Sequence, residues 1–443
     1  MEKRNTLFIS VLGTNDYLPC CYFFYPREEQ RVEGVRFVQE AILRLLAQQE
    51  DSKPDEVIIF ATQGASEANW RDDGHKDSDG KPLNRKGFAS SLEDAGYKPR
   101  RKEIPDGKSE GEIWQIFQII IDSIPEKSRL VVDITHSFRS LSMILLAAIQ
   151  YLKAVKAVEM DAIHYGAMEV LGPVSKVRNM EPTDRMVPIF DLTPFDAIMD
   201  WSRAAASFVE SGNPAGLRGL ANKKIIPILR QTRGQDEEAK SLRRFVDSLD
   251  EFCSNLMANR GPLIADSAAK VHENLAQTQG ISLLPPMVPL LNIIDQELKG
   301  FQGDSLDVAI QTARWCLEHN FIPQAYTFLQ EGIITWVLER VGESTVDDPE
   351  KRQAASSAFV IRAQNMKKNK WNSNALKHEK LIHDIHTISG FDKLSSIMDP
   401  LAQRRNNINH SGYNKDKLMP KKLKSELEKA LSRLESWKTT HGQ

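Results

Sequence analysis

The chain contains 443 residues, of which 41% are hydrophobic and 27% charged, and its formal net charge is −2 at pH 7. This composition is typical of a folded globular protein, and the length predicts two or three domains. The small net charge argues against a general nucleic-acid coat protein, and no apolar run reaches the ~18 residues that suggest a membrane span. The four cysteines form no CxxC pair and the N-terminus has no secretory pattern, so we expect a cytoplasmic protein.

Strand-like and helix-like patterns alternate over the first 195 residues. Short apolar runs predict strands at residues 7–12, 57–61, 130–134, 160–165 and 187–192. Apolar residues at helical spacing predict helices at residues 32–47, 112–124 and 141–155. Because strands that alternate with helices form mainly parallel sheets covered on both faces, the predicted fold class of this half is α/β. The basic cluster at residues 98–102 is interpreted as solvated surface.

Helical patterns dominate after Pro194, so the second half is predicted to be all-α. The helices are interrupted near residues 212–214, and residues 280–289 resemble a linker. Asp399 and Pro400 fit the N-cap and first position of a helix, and Gly412 fits the position just after its end. The predicted organisation is an α/β domain at residues 1–195, a helical connecting region at 196–300 and a helical domain at 301–443.

Polar segments follow three of the predicted strands in the first half. Open parallel sheets bind ligands at the carboxyl ends of their strands, so we expect these segments to form one ligand site. The candidate binding residues are Gly13, Thr14, Asn15, Asp16 and Tyr17 in the first segment, Thr62, Gln63 and Gly64 in the second, and Thr135, His136, Ser137, Arg139 and Ser140 in the third.

The third segment combines hydroxyls, a histidine and an arginine with the start of a helix, where unpaired N–H groups favour anions. Phosphate is the expected anion. In the alternative interpretation, Thr135 and Ser137 only cap the helix and Asp133 is a turn residue. None of the three segments is a P-loop or a GxGxxG fingerprint, which argues against ATP hydrolysis and against a dinucleotide cofactor.

The segment from Arg404 to Gly412 reads Arg-Arg-Asn-Asn-Ile-Asn-His-Ser-Gly. Arg405 supplies a fixed cation, and His410 supplies a group that exchanges protons near neutral pH. These two groups can cut RNA without a metal, because the 2′-hydroxyl of the substrate can be the nucleophile. Asn406 could orient His410 or the substrate. Arg404 is the alternative arginine, since its spacing to His410 also fits this role.

Helix geometry bears on how these groups could meet. Arg405 lies near the buried face marked by Leu401 and Ile408, so its guanidinium needs a phosphate or a carboxylate as a partner. His410 would point ~140° away from Arg405 on an unbroken helix. Either the helix ends before His410, or the site combines residues of two chains. In the structural alternative, His410 lies on the surface and the arginines form salt bridges.

A second dense cluster contains His378, His383, Asp384 and His386. His383 and His386 are neighbours on one helix face, but two ligands on a face are poor grounds for a metal site. We therefore predict no metal, and the cluster could instead contact RNA.

Three segments in this order resemble the CRISPR-associated CARF–HEPN ribonucleases of type III systems. Residues 11–17 and 133–140 look like the loops of a CARF domain, a Rossmann-like sensor. Residues 405–410 are similar to the R-x(4–6)-H motif of HEPN ribonucleases. Ser137 departs from the pattern, because many relatives carry glycine there. Further residues similar to the first HEPN helices are Trp315, Cys316, Gln324, Ala325, Tyr326 and Glu331.

The resemblance implies a CARF sensor at residues 1–195 and a HEPN endoribonuclease at residues 301–443. It implies a homodimer or higher even oligomer whose sensor binds cyclic oligoadenylate and whose nuclease then cuts single-stranded RNA, leaving a 2′,3′-cyclic phosphate. Cyclic tetra-adenylate is the first choice of activator, because its even symmetry suits a two-fold pocket. No cofactor is expected.

Two other hypotheses remain open at this point. The chain could be a ligand-responsive regulator or binding protein without nuclease activity, although no helix-turn-helix is evident. Alternatively, the sensor could also cleave its own cyclic oligoadenylate, with Thr14, Thr135 or His136 assisting.

Overall fold

The computed structural model describes residues 4–49, 52–136, 139–278, 288–411, 413 and 418–441, with the backbone alone at Arg139 and Val288. The chain divides into two compact units, Met1–Ala197 and Ile198–Gln443. In the described parts of both units, no helix is long and apolar enough to cross a membrane. The predicted subdivision of the helical half at residue 300 stays a prediction.

The N-terminal unit contains, over its described residues, a sheet of eight strands in the order β3-β2-β8-β7-β6-β1-β4-β5. β1 lies inside the sheet, parallel to β4 on one side and to β6 on the other. The strands are β1 (Thr6–Leu12), β2 (Cys20–Phe24), β3 (Arg31–Val35), β4 (Glu56–Ala61), β5 (Pro99–Glu103), β6 (Arg129–Asp133), β7 (Glu159–Gly166) and β8 (Met186–Asp191).

Most strand pairings in this sheet are parallel. The pairs β4–β5, β6–β7 and β2–β8 are parallel like those of β1, whereas β2–β3 and β7–β8 are antiparallel. Every residue of β1 and β4 except the first is buried, which is why both strands read as continuous apolar runs. The predicted α/β class with a mainly parallel sheet is confirmed.

Helices cover both faces of the sheet and give it two hydrophobic cores. Phe8 and Leu12 of β1 pack in one core with α1 and α3. Leu7, Ile9 and Val11 pack in the other core with α4 and α5. The helices of this unit are α1 (Val38–Ala47), α2 (Gln63–Ala65), α3 (Phe88–Asp94), α4 (Glu110–Ser123), α5 (Arg139–Lys156) and α6 (Val174–Arg178).

One sequence interpretation of this unit is wrong, and one strand was missed. The predicted helix at residues 32–47 is in fact β3 followed by α1, because Val32 and Val35 of the exposed strand imitate helical spacing. The basic cluster at residues 98–102 lies at the surface as predicted, but most of it forms the edge strand β5, which is parallel to β4 and was not predicted. Its side chains are exposed or half-buried, so the strand lacks apolar alternation.

The second unit is all-α over its described residues and has one large hydrophobic core, as predicted. Its helices, the first of which begins just before the unit boundary, are α7 (Thr193–Ser211), α8 (Ala215–Gln231), α9 (Glu237–Met257), α10 (Ile264–Thr278), α11 (Val288–Glu297), α12 (Ser305–Glu318), α13 (Ile322–Arg340), α14 (Pro349–Ala363), α15 (Ser373–Lys377), α16 (Glu379–His386), α17 (Phe391–Asn409) and α18 (Pro420–His441).

The predicted start of the last helix before the tail is wrong. Asp399 and Pro400 lie inside α17, which begins at Phe391 after Gly390 in the left-handed region. Phe391, Leu394 and Met398 are buried, so packing holds the helix together across the proline, whose ring removes one backbone donor. Gly412 and most of the predicted linker, residues 280–287, lie outside the described residues.

Candidate functional site

The fold brings the three polar segments of the N-terminal half to one edge of the sheet. β6, β1 and β4 are neighbours, and the segments follow their carboxyl ends. After β1 the chain forms β2 and β3 at the far edge, then adds β4 and β5 on one side of β1 and afterwards β6 and β7 on the other side. The strand order therefore reverses at β1, which is where open α/β sheets bind ligands.

A cavity of about 580 Å³ lies at this edge. Its volume is in the usual range for small-molecule sites. Ser140 stands in the first turn of α5, which carries no acidic residue, so the N–H groups of this helix end favour an anion. The predicted residues that line the cavity are Thr14, Thr62, Gln63, Gly64 and Ser140.

Four lining residues were missed by sequence reasoning, namely Glu67, Asp106, Gly107 and Lys108. Three of them lie in the loop after β5, so the error follows from the missed edge strand. The Nζ of Lys108 lies 2.6 Å from a carboxylate oxygen of Asp106, and Gln63 donates to Glu67 at 3.0 Å. Among the described lining residues the charges are two carboxylates and one ammonium. The walls therefore offer acceptors for hydroxyl and amino groups as well as the helix end for an anion.

The loop after β1 is held by its own hydrogen bonds. Gly13 N–H donates to the hydroxyl of Tyr17 at 3.0 Å, and a Cβ at Gly13 would lie only 2.5 Å from that oxygen. The buried side-chain amide of Asn69 donates to the carbonyls of Gly13 and Asn15, both at 2.9 Å. These residues shape the wall that presents Thr14 rather than lining the cavity themselves.

Asp16 is also engaged within the protein. Its carboxylate accepts from Arg85 at 2.8 Å and lies 3.9 Å from a guanidinium nitrogen of Arg36. Asp16 therefore connects the β1 loop to the segment that precedes α3.

The loop after β6 is organised around the buried carboxylate of Asp133. This carboxylate accepts from the hydroxyls of Ser10 at 2.7 Å and Thr135 at 2.5 Å, and from the N–H of Thr135 at 3.1 Å. Burial raises the pKa of Asp133. The hydroxyl of Thr135 in turn accepts from Gly166 N–H at 2.8 Å. Asp133, the last residue of β6, thus fixes the start of the loop through hydrogen bonds within the protein.

His136 packs its ring against Tyr17, with 4.3 Å between ring centroids. Its Nε2 is shielded from solvent and has no hydrogen-bond partner among the described residues. Burial lowers the pKa of His136 to about 4, so the imidazole is neutral at physiological pH. Ser137 and the side chain of Arg139 lie outside the described residues.

In the helical unit, Arg405 lies on α17 and its Nη1 is 3.2 Å from Oε1 of Glu331 on α13. The side chains are 26% and 37% exposed, so the pair is within reach of a bound molecule. The prediction that Arg405 needs a phosphate or carboxylate partner is confirmed, and in this structure the partner is a carboxylate. The neighbouring Arg404 turns to another helix, where its Nε donates to Glu426 of α18 at 2.6 Å.

His410 is the C-cap of α17 and is exposed, and Asn406 is exposed as well. His410 N–H donates to the carbonyl of Asn406 at 3.1 Å, and its own carbonyl accepts from Tyr413 N–H at 2.9 Å. The helix thus persists to Asn409, and no hydrogen bond joins the described side chains of Arg405 and His410. Within one chain the two groups face different surroundings.

The other residues that resemble HEPN helices support this region. Trp315 and Cys316 are buried in the core. The hydroxyl of Tyr326 donates to the carbonyl of Leu423 at 2.9 Å, which fixes the first turn of α18. Together with the pairs Glu331–Arg405 and Glu426–Arg404, these contacts hold α13, α17 and α18 together near the end of α17.

The histidine cluster is dispersed by its helices. His378 lies 3.5 Å from a carboxylate oxygen of Glu350, and His386 bonds the carbonyl of Ala358 at 3.0 Å. In the parts of the chain that the structure describes, no group of three or more histidine, cysteine or acidic side chains could hold a metal ion.

Comparison with known proteins identifies the N-terminal unit. Residues 7–169 match the family described as "CRISPR system endoribonuclease Csx1, CARF domain". The chain is also similar to the "CRISPR-associated protein MJ1674" of Methanocaldococcus jannaschii, with 23% identity over 242 residues. This match covers 54% of the chain and 33% of the relative, so the chain spans about a third of that relative's length. Over residues 7–169 the N-terminal unit therefore matches a CARF domain, and the chain is similar to CARF-containing CRISPR-associated proteins.

Proposed function

We propose that the chain is a CRISPR ancillary endoribonuclease that cuts single-stranded RNA when a cyclic oligoadenylate occupies the cavity of its CARF domain. The observation that carries the proposal is the pairing of this domain with a helical unit that carries Arg405 and His410 at the end of α17. Arg405 is half-buried and its Nε has no hydrogen-bond partner among the described residues, and His410 is exposed at a helix end.

The proposed reaction requires no metal, because RNA contains its own nucleophile. The 2′-oxygen attacks the adjacent phosphorus and the bond from phosphorus to the 5′-oxygen breaks, which leaves a 2′,3′-cyclic phosphate and a 5′-hydroxyl. His410 takes the proton of the 2′-hydroxyl or supplies one to the leaving oxygen. Arg405 stabilises the charge that develops on the phosphoryl group. Asn406, one turn before His410, orients the imidazole or the substrate.

The site is proposed to combine two chains. Five residues on a helix correspond to ~140° of rotation, and α17 persists through Asn409. Arg405 is turned toward α13, whereas His410 is exposed. A second copy related by a two-fold axis can bring its His410 to the Arg405 of the first, because an isologous interface presents each group twice.

An exposed apolar face on the CARF domain supports a dimer. Along α5 the side chains of Met143, Leu146, Tyr151 and Val155 are 74%, 37%, 48% and 51% exposed. These side chains and the small residues between them form one continuous stripe along the helix. Trp114 of α4 is also 63% exposed. Such a face on a soluble domain is expected to be covered, and we assign it to a second copy of the chain.

The α5 face and the cavity are linked, because α5 begins beside the cavity at Ser140. Two copies docked through α5 would bring two cavities toward the two-fold axis. A ring of four adenylates has matching symmetry, so cyclic tetra-adenylate is the proposed activator. Its phosphates suit the start of α5, and the carboxylates of Glu67 and Asp106 can accept from ribose hydroxyls and adenine amino groups.

The experiment is a cleavage assay with labelled single-stranded RNA, with and without each cyclic oligoadenylate. The wild-type protein should cut only with its activator, and His410→Ala and Arg405→Ala should bind the activator normally and cut at background level. Activator binding without RNA cleavage by the wild type would favour a regulator instead. Cleavage of the activator ring without RNA cleavage would favour a sensor that cleaves its own ligand.

A further inference from the structure

Glu331 of α13 lies between two guanidinium groups that come from different helices. Arg352 of α14 donates from Nη2 to Oε2 of Glu331 at 2.8 Å and to the carbonyl of the same residue at 3.0 Å. Arg405 of α17 approaches the other carboxylate oxygen at 3.2 Å. One carboxylate therefore connects three helices of the core.

The two arginines are satisfied to very different extents. Arg352 also donates from Nη1 to the hydroxyl of Thr335 and to the carbonyl of Val346, at 2.9 and 2.8 Å. Arg405 touches Glu331 through one nitrogen, and its Nε is shielded from solvent without a partner among the described residues. Arg352 thus holds the carboxylate in place. The guanidinium of Arg405, whose side chain is 26% exposed, meets no acceptor other than Glu331 among the described residues.

We infer that Glu331 is a positioning residue that aims Arg405 at the scissile phosphate, with Arg352 as the anchor of Glu331. This inference rests on the proposed function, because it assigns a task to a group of the proposed site. A guanidinium can meet a carboxylate and a phosphate with different nitrogens at the same time. Glu331 therefore fixes the direction of Arg405 without occupying all its donors.

The neighbouring ion pair provides a matched control. Arg404 and Glu426 also join α17 to another helix, with side chains 25% and 27% exposed and a distance of 2.6 Å. This contact is shorter than that between Arg405 and Glu331, so it is at least as good a clamp between helices. If both acids only held helices together, their removal would have similar consequences.

Replacement of Glu331 by glutamine should separate catalysis from binding. The guanidinium of Arg405 keeps its charge but loses its fixed direction, so stabilisation of the transition state falls. Substrate binding does not weaken, since a negative charge near the RNA phosphates is removed. We expect kcat to fall by about tenfold or more with KM unchanged or lower, because only interactions specific to the transition state are lost.

The test compares Glu331→Gln and Glu426→Gln in the full-length protein, saturated with its activator, over a range of RNA concentrations. The inference predicts the kcat loss for Glu331→Gln alone. Glu331→Asp keeps the charge beside Arg352 but withdraws it from Arg405, so its kcat should lie between those of the wild type and Glu331→Gln. This variant provides the test if the glutamine variant does not fold. Thermal unfolding of each variant checks the fold.

Each result decides the matter. An unchanged kcat for Glu331→Gln overturns the inference, and a raised kcat shows that the carboxylate competes with substrate. An equal loss in Glu426→Gln reduces both acids to structural clamps. These results leave the proposed function intact as long as the wild type cuts RNA and His410→Ala does not. A wild type that cuts no RNA with any activator overturns both.

Discussion

His164 on β7 makes the stability of the CARF domain depend on pH. Its side chain is 6% exposed, its ring lies 4.8 Å from that of Phe24, and neither ring nitrogen has a hydrogen-bond partner among the described residues. Burial lowers the pKa of His164 to about 4, although the charge of Asp191 acts in the opposite direction. The folded domain therefore binds a proton on this imidazole less readily than the unfolded chain does.

The sign and size of the effect follow from this difference. The contribution of neutral His164 to the free energy of unfolding is fully present above the unfolded pKa of ~6.5. It is lost as the pH falls toward the folded pKa of about 4. At pH 5 the loss attributable to His164 is about 2 kcal/mol relative to pH 8. His164→Phe removes the titration and can pack against Phe24. The variant should therefore lose about 2 kcal/mol less than the wild type between pH 8 and pH 5.

The cysteines allow this to be measured for each unit separately. Cys20 and Cys21 are buried in β2, whereas Cys253 and Cys316 are buried in the helical unit. Urea unfolding is followed by labelling with an aromatic disulfide that reacts with thiols at acidic pH, and the labelled peptides are quantified by mass spectrometry. An equal pH dependence for wild type and His164→Phe at the β2 cysteines would refute the reasoning. The helical cysteines should not respond to the substitution.

Three further predictions concern other contacts. Arg185→Met should destabilise the CARF domain by roughly 3 kcal/mol, because the buried guanidinium donates to four backbone carbonyls, and urea unfolding measures this. Met143→Lys on the exposed α5 face should leave the fold of the monomer unchanged and shift its sedimentation from that of a dimer to that of a monomer. An unaltered dimer would exclude this face as the dimer interface. Asn69→Ala should weaken activator binding by about tenfold, since the carbonyls of Gly13 and Asn15 lose their donor. An affinity equal to that of the wild type, measured by calorimetry, would contradict a role of Asn69 in shaping the cavity.

The buried strands β1 and β4 could be predicted from the sequence, and the exposed edge strands β3 and β5 could not. β1 and β4 have apolar residues at every buried position except Ser10, so both are readily identified as strands. β3 and β5 carry charged, exposed side chains and are defined by backbone pairing with their neighbours. β2 was also missed, although it is mostly buried and its apolar run between Pro19 and Pro26 was an available signal.

The same distinction applies to the candidate sites. Thr14 and Ser140 could be identified because they follow predicted strands, whereas Asp106 and Lys108 follow a strand with no apolar pattern. In the helical unit, helix periodicity indicated that Arg405 needs a partner. It could not identify that partner, because Glu331 is brought there by the packing of two helices distant in sequence.

The most direct test of the account asks whether Arg405 and His410 of different chains act on one phosphodiester. Arg405→Ala and His410→Ala chains are co-expressed with different affinity tags, purified as heterodimers and assayed on labelled RNA with activator. A site built from two chains predicts that each heterodimer regains one intact site, and thus about half the wild-type activity. Activity no higher than that of either mutant homodimer would contradict the account, because it would place both groups of a site on the same chain.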